Sequence, residues 1–594
     1  MRITKEMLIP DIIENFPSTR DVFAKYGICG GETIPRETLE FFARAHQINL
    51  KELLRELNKA SLESPTTETK RVTPRESIGE ILWRRFFKSG IVFGLTGWIF
   101  GALNLTYISF KHSYFSLPIP LILSHAHIQV LGWAGLFIMG FAYQAFPRFK
   151  FTSLWKPRLA ALSLWIAIPG IAITTVSWAF LPISGFLISG IIGSILESIS
   201  ALIFAVVITQ TLRQAVGKRE LWEKYALTSI FFFVLQSLLA PFLLYMSGEA
   251  YIKSDMSLLI NRVAGFIAPY QDIELFGFIV MMIFGVSQRF IPFVFNTKEP
   301  SGKLGEFSFY VFLVSLLLAV SAHIAIRLYG FESIRPLTAI PYAGLFLSSL
   351  GVIYNTGVFK KAKSHSREFK FIRAAYLWLV FSMVLLLLLP VYNHYVLGSF
   401  SHNYFGAYRH ALTVGFISLM IIGVSSRVTP IMSGVEPKSS LIIPFALINT
   451  GNALRVVFQI LGDFEAHITY PLTLISQIFL TTSGFAQVIG FSFWAYDIWS
   501  TANEGIKRQK EKELSRKKPV VIEAWTKVGE IIEHYPETRD LFIKLGFKEI
   551  DNPAIHETLK ITPVEMVCKL YSLNEEEFLK ELNSYIKRRE KWHT

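Results

Sequence analysis

Long stretches of this chain carry no charge at all. Residues 89–110 contain no Asp, Glu, Lys or Arg, nor do residues 113–147, and residues 374–389 read AAYLWLVFSMVLLLLL. A bilayer core of roughly 30 Å is crossed by about 20 apolar residues wound as an α-helix. Lipid offers no partner to an unpaired peptide group, so runs of this kind enter it as helices. Twelve spans are expected, near residues 89–110, 118–147, 159–181, 184–212, 226–247, 270–296, 307–328, 336–359, 374–395, 405–430, 439–461 and 469–497. A composition of 52% hydrophobic and 14% aromatic residues agrees with an all-α, polytopic membrane protein.

Charge gives the orientation. Arg148, Lys150, Lys156 and Arg158 follow the second span, and Lys360, Lys361, Lys363, Arg367, Lys370 and Arg373 follow the eighth. Loops on the opposite side are poor in Lys and Arg. The approach to the first span and the tail KRQKEKELSRKKP after the last are also basic. The positive-inside rule then puts both termini in the cytoplasm of a cell whose inner membrane holds the chain, as an even number of spans requires. The net charge of +14 is mostly this asymmetry, so no nucleic-acid partner is implied. The first thirty residues are repeatedly charged, and no cleavable signal is expected there. Cys29 and Cys568 are the only cysteines and are expected as reduced thiols, Cys29 being a candidate redox thiol.

The two ends repeat each other. IIENFPSTRDVFAKYG at 12–27 aligns without a gap to IIEHYPETRDLFIKLG at 531–546, and LLRELN at 53–58 aligns to FLKELN at 578–583. Each end reads as a short helix, a second helix started by a Thr cap, a glycine stop and a terminal amphipathic helix. The expected domains are residues 1–62, a basic linker 63–88, the membrane part 89–500, a second basic linker 501–520, and residues 521–594. Both ends resemble the ScdA-type N-terminal domain. That family often carries Cys-Cys-Gly-Gly after its second helix; here Cys29, Gly30 and Gly31 remain but Ile28 replaces the other cysteine. The resemblance implies docking modules for a cytoplasmic protein partner.

A second repeat lies within the membrane part. HAHIQVLGWAGLFIMGFAYQAFP in span two, YQDIELFGFIVMMIFGVSQRFIP in span six and YRHALTVGFISLMIIGVSSRVTP in span ten align on Gly132, Gly277 and Gly415. Gly140, Gly285 and Gly423 follow, then Pro147, Pro292 and Pro430. One small-residue pair would mean only a helix contact. Three copies four spans apart predict three pseudo-repeated four-helix arcs.

His127 and His410 occupy the same register, and Asp272 takes that place in span six with Glu274 beside it. All lie in the outer part of the membrane. Of nine histidines between the soluble ends, eight (His112, His125, His127, His323, His394, His402, His410 and His467) fall on the outer side; His365 is cytoplasmic. Neutral imidazole ligates haem iron, copper and zinc and survives membrane depth better than a charge. His125 and His127 are two apart and point about 200° away from each other on an α-helix, so they serve different neighbours. By register, His127 and His410 are expected as the axial pair of a haem, with His125 a candidate ligand of a second metal, iron or copper. Arg455 suits a haem propionate. Glu197 is a candidate proton site or a polar helix contact. His323 and His402 are secondary polar candidates.

With these motifs the membrane part resembles the haem-copper oxidase subunit I superfamily, and more closely its NnrS branch, haem- and copper-containing membrane proteins linked to nitric oxide tolerance. The resemblance implies haem, copper, and a role in nitric oxide response or respiratory electron transfer with an electron donor as partner. Oxidases of the superfamily build a binuclear centre from a span-six histidine and a His-His pair near span seven. Here span six has Asp272 and Glu274, and span ten has Tyr408 and His410 in place of His-x-His, so that centre is not expected. The alternative to an oxidoreductase is a membrane haem sensor signalling to the helical ends. A haem-free transporter with histidines in a proton path is the third class.

Overall fold

A computed structural model of the chain describes residues 3–26, 38–45, 48–61, 78–113, 116–150, 152–181, 183–215, 219–255, 258, 265–295, 297, 300–330, 332–362, 366–467, 470–517, 521–544, 562–571 and 573–590. Cys29 and His365 lie outside the described residues. Among them the regular elements are all helical. The chain divides into two compact units, residues 1–501 and 502–594.

The long helices are α1 (Ile78–Lys111), α2 (Ile119–Phe149), α3 (Pro157–Ala179), α4 (Ser184–Arg213), α5 (Leu221–Ile252), α6 (Gly265–Phe295), α7 (Gly302–Tyr329), α8 (Ala339–Thr356), α9 (Phe369–Leu397), α10 (His402–Ser433), α11 (Ile442–Leu461) and α12 (Tyr470–Lys517). Among the described residues, 11 helices are long and apolar enough to cross a membrane. The expected span at 439–461 does fold as the helix α11, but Asn449, Asn452, Arg455 and Gln459 leave it less apolar than the rest.

Two segments expected as linkers are partly helix. Residues 78–88 are the first turns of α1, and α12 continues to Lys517. Lys, Arg and Glu are good helix formers, and Glu504–Arg508 and Lys507–Glu511 pair across single turns at 2.8 and 3.9 Å.

Three helices form the interior. Of the central windows, 89% of α6, 72% of α10 and 67% of α2 is buried, against 33–50% for the other candidate spans. These are the three that carry the glycine motif. Each contains a π-helical segment of 8 residues, at Ile128–Gly135, Ile273–Val280 and Ala411–Ser418, starting directly after His127, Asp272 and His410. Such segments are uncommon and cluster at functional sites.

The glycines admit the neighbouring helix. A Cβ on Gly132 would lie 2.8 Å from Phe93 of α1, one on Gly277 2.7 Å from Phe232 of α5, and one on Gly415 2.5 Å from Trp378 of α9. Gly140, Gly285 and Gly423 repeat this against Phe86, Tyr225 and Ile372, at 2.5, 2.6 and 2.9 Å. In every case the helix just before in the chain supplies the large residue. The interior helices also meet one another: Trp133 Nε1 donates to Ser418 Oγ at 3.1 Å, and the Phe284 and Phe416 rings meet edge-on.

At the N-terminus, helices Ile9–Asn15, Arg20–Lys25, Leu39–Ala45 and Leu50–Ala60 enclose Ile12, Phe23, Phe42, Leu53 and Leu57. At the C-terminus, Val528–His534, Arg539–Lys544, Val564–Leu570 and Glu575–Glu590 enclose Ile531, Phe542, Val567, Phe578 and Leu582. Asn58 exchanges two hydrogen bonds with the Ile3 backbone, and Asn583 does so with Ile522. The expected Thr caps are different: Thr19 and Thr538 donate back to the carbonyls of Phe16 and Tyr535, each at 2.6 Å, inside short 3₁₀ turns. Cys568 is a buried free thiol, and burial pushes its pKa up, away from reactivity.

Gly277 has no room for a methyl, because the nearby Phe232 atoms sit at the base of that side chain. Gly277→Ala is expected to lower the thermal midpoint of the detergent-solubilised protein, by overpacking of about 1–3 kcal/mol. Gly185→Ala, with nothing within 4 Å of the added Cβ, is the control expected to leave it unchanged.

Candidate functional site

His125 and His127 address different parts of the molecule. His127 is buried, and its Nε2 lies 2.9 Å from Oε1 of Glu197 on α4, so the imidazole N–H donates to the carboxylate. Glu197 reaches this position because α3 has Gly170 there; a Cβ would stand 3.1 Å from the Glu197 Cγ. The second oxygen, Oε2, is buried and makes no hydrogen bond among the described residues. Glu274, in the π segment of α6, is also buried and lies within electrostatic reach of both. A cavity of about 40 Å³ opens beside them, lined by His127, Glu274, Tyr270, Thr174, Trp178 and Ser194 among others. Tyr270 is held there by donating to Gln236 Oε1 at 2.9 Å.

His125 turns to α1, its ring edge-on to Phe100 and packed over Gly101, where a Cβ would lie 2.7 Å from the imidazole Cε1. Its Nδ1 is buried and has no hydrogen-bond partner among the described residues. His410 and Arg455 are within electrostatic reach of it, and of each other. His410 donates from Nδ1 to the Gly406 carbonyl at 3.0 Å. That bond fixes the tautomer and leaves the Nε2 lone pair for a ligand, the second-shell arrangement of ligating histidines. Arg455 is 7% exposed, one turn from Asn452, whose side-chain oxygen and nitrogen are both buried without a hydrogen bond among the described residues. His410 is thus in electrostatic reach of His125 and Arg455, while His127 is hydrogen-bonded to Glu197.

Asp272, the third register equivalent, takes part in another cluster. Arg409 Nη2 lies 3.5 Å from Oδ1, His323 Nε2 lies 3.9 Å from Oδ2, and His323 bonds Tyr342 at 2.8 Å. His402 begins α10 and is exposed. His112 bonds Gln477, and His394 is exposed beside Tyr395. Among the described residues no three His, Cys, Asp or Glu side chains converge as a metal-holding group. Sequence reasoning passed over Arg409, Tyr342, Tyr270 and Asn452. Arg409 was within reach, being a charge inside a span and directly before His410.

A family model described as NnrS protein matches residues 83–502. The chain belongs to the NnrS family. A second match, to a domain of unknown function (DUF1858), covers residues 522–579 and so falls on the C-terminal helical unit. No curated protein matches the sequence. The NnrS match spans all three polar clusters and every helix that carries them.

Breaking a buried hydrogen-bonded ion pair by removing one partner costs about 3–5 kcal/mol, whereas replacing both by apolar residues is often neutral. His127→Leu in this NnrS-family protein is therefore expected to lower the thermal midpoint strongly. The double change His127→Leu with Glu197→Leu should recover most of the loss. A double change no more stable than the single one would show that the pair is not the stabilising unit.

Proposed function

We propose that this NnrS-family protein is a multi-pass inner-membrane haem protein, acting in nitric oxide response or in electron transfer, with the haem held between α2 and α10. The observation that carries this reading is His410, its tautomer fixed by Gly406 and its Nε2 left for a ligand, grouped with His125 and its unpartnered Nδ1. His125 and His410 are the proposed axial pair, and Arg455 the partner of a propionate, whose two oxygens match its planar fork. Asn452 has donor and acceptor atoms to offer the same group. A bound haem would supply one-electron chemistry and an iron centre accessible to nitric oxide.

The repeated π segments and glycine contacts support three four-helix arcs of the haem-copper oxidase subunit I kind, with α11 as the twelfth crossing and both termini cytoplasmic. Asp272 and Glu274 stand where the binuclear centre of that superfamily needs histidine, so oxygen reduction by that centre is not part of the proposal. The likeness of the two helical ends, in sequence and in the paired Asn58–Ile3 and Asn583–Ile522 hydrogen bonds, supports ScdA-type docking domains for a cytoplasmic partner. Purified protein is expected to show a Soret band. His125→Ala and His410→Ala should each remove most of it, while His127→Ala retains it; loss in His127→Ala and His410→Ala with the band kept in His125→Ala would restore the register pairing, and no band in any form would end the haem reading.

A second reading, a sensor that reports the haem state to the cytoplasmic units, is favoured by α12, one unbroken helix of 48 residues from the membrane part into the second unit. A Glu511→Pro change, which breaks that helix, should abolish signalling in vivo and leave haem content as it was. Unimpaired signalling would count against the sensor.

A further inference from the structure

The polar side chains grouped around Asp272 and Glu274 do not balance in charge. Three carboxylates, Glu197, Glu274 and Asp272, are buried within the membrane helices. Among the described residues, Arg409 is the permanent cation in electrostatic reach of Asp272 and Glu274, and it pairs with Asp272. With Arg409 paired to Asp272, the cationic partner bonded within the Glu197–Glu274 pair is the His127 imidazole, which binds Glu197. Two carboxylates within electrostatic reach and away from water do not both ionise, because each raises the cost of the other's charge. One of them holds a proton whenever the pair has a single positive partner.

We propose that Glu197 and Glu274 form an acid pair that takes up and releases one proton through the adjoining cavity. On uptake a carboxylate oxygen forms an O–H bond and the pair loses one negative charge; on release the O–H breaks and the proton passes to water in the cavity. Glu274 is the member of the pair that lines the cavity, and Glu197 Oε2, buried and without a hydrogen bond among the described residues, is a second acceptor for the proton. The cavity of about 40 Å³ exceeds what one water needs, and Thr174, Ser194 and Tyr270 give its wall polar groups to hold one. His127 is the positioning group, its N–H donated to Oε1 in both states. From α6 the groups that face the pair are Glu274 itself and Tyr270, from α2 His127, and from α10 Arg409. No haem is required by this chemistry, so it stands apart from the reading above.

Infrared difference spectra of the full-length protein in detergent, recorded across a pH titration, read the C=O stretch of a protonated carboxylic acid directly. The native protein should gain and lose one such band, shifted in deuterium oxide. Glu197→Gln and Glu274→Gln should each remove or displace it, and Glu197→Asp should keep it at an altered frequency, which guards against loss through misfolding. A band unchanged in both Gln variants would overturn the proposal, as would the lack of any titrating band in the native protein. The titration is repeated with choline in place of sodium. Superimposable curves support a proton, and a band that moves with sodium would mark an alkali-cation site and overturn the assignment. A band present in haem-free protein supports the acid pair even where the haem reading has failed.

Discussion

Hydrocarbon gives a polar side chain nothing to bond to, so every imidazole and carboxylate in this membrane part must find its partner in the protein. The arrangement of the helices around α2, α6 and α10 follows from that requirement. These are the most buried long helices, and they carry the groups that need answering: His125 and His127, Asp272 and Glu274, Arg409 and His410. The outer helices present apolar side chains to lipid and supply the answers from their inner faces, Glu197 from α4, His323 and Tyr342 from α7 and α8, Arg455 from α11. Glycine makes the close approach feasible. Where Phe93, Phe232 and Trp378 press on Gly132, Gly277 and Gly415, any larger residue would hold the helices apart and leave the polar partners out of reach.

Much of this was legible in the sequence because bilayer thickness acts on sequence directly. Charge-free runs of the right length became helices, and the Gly, Gly, Pro motif, read from the sequence only as a repeat, falls on the three most buried of them. The span at 439–461 was expected with Arg455 inside it, and its helix α11 turns Asn452, Arg455 and Gln459 inward. The π segments left no mark in composition. They add turns in which the carbonyl bonds five residues on, and nothing in IQVLGWAG or ALTVGFIS requires that over a regular helix. The ends of α1 and α12 were read as linkers because charged residues suggest solvent; solvated charge at four-residue spacing builds helix equally well.

Equivalence by repeat bears differently on His125 and on His127. Equivalence by repeat says that two residues occupy the same place in two copies, and so look out in equivalent directions, each towards its own neighbour. His127 meets Glu197 of α4, and Asp272 meets side chains of α7, with Tyr342 of α8 behind. Register equivalents are therefore poor candidates for a shared ligand, which calls for side chains that converge. His125, two residues off that register and turned by about 200° from His127, is within electrostatic reach of His410, as the proposed axial pair requires.

That division of labour depends on where the π segment begins. Each extra residue in a turn rotates everything beyond it by about 100° relative to a regular helix. Starting at residue 128, it leaves His125 and His127 on a regular helical turn whose two faces serve α1 and α4, and resets the phase for Gly132 and Gly140 below, which must face α1. The same phase change follows Asp272 and His410 at the same point. A continuous α-helix would have to choose between aiming its polar turn and aiming its glycines. Three interior helices, each carrying the same reset between the two, escape that choice in the same way.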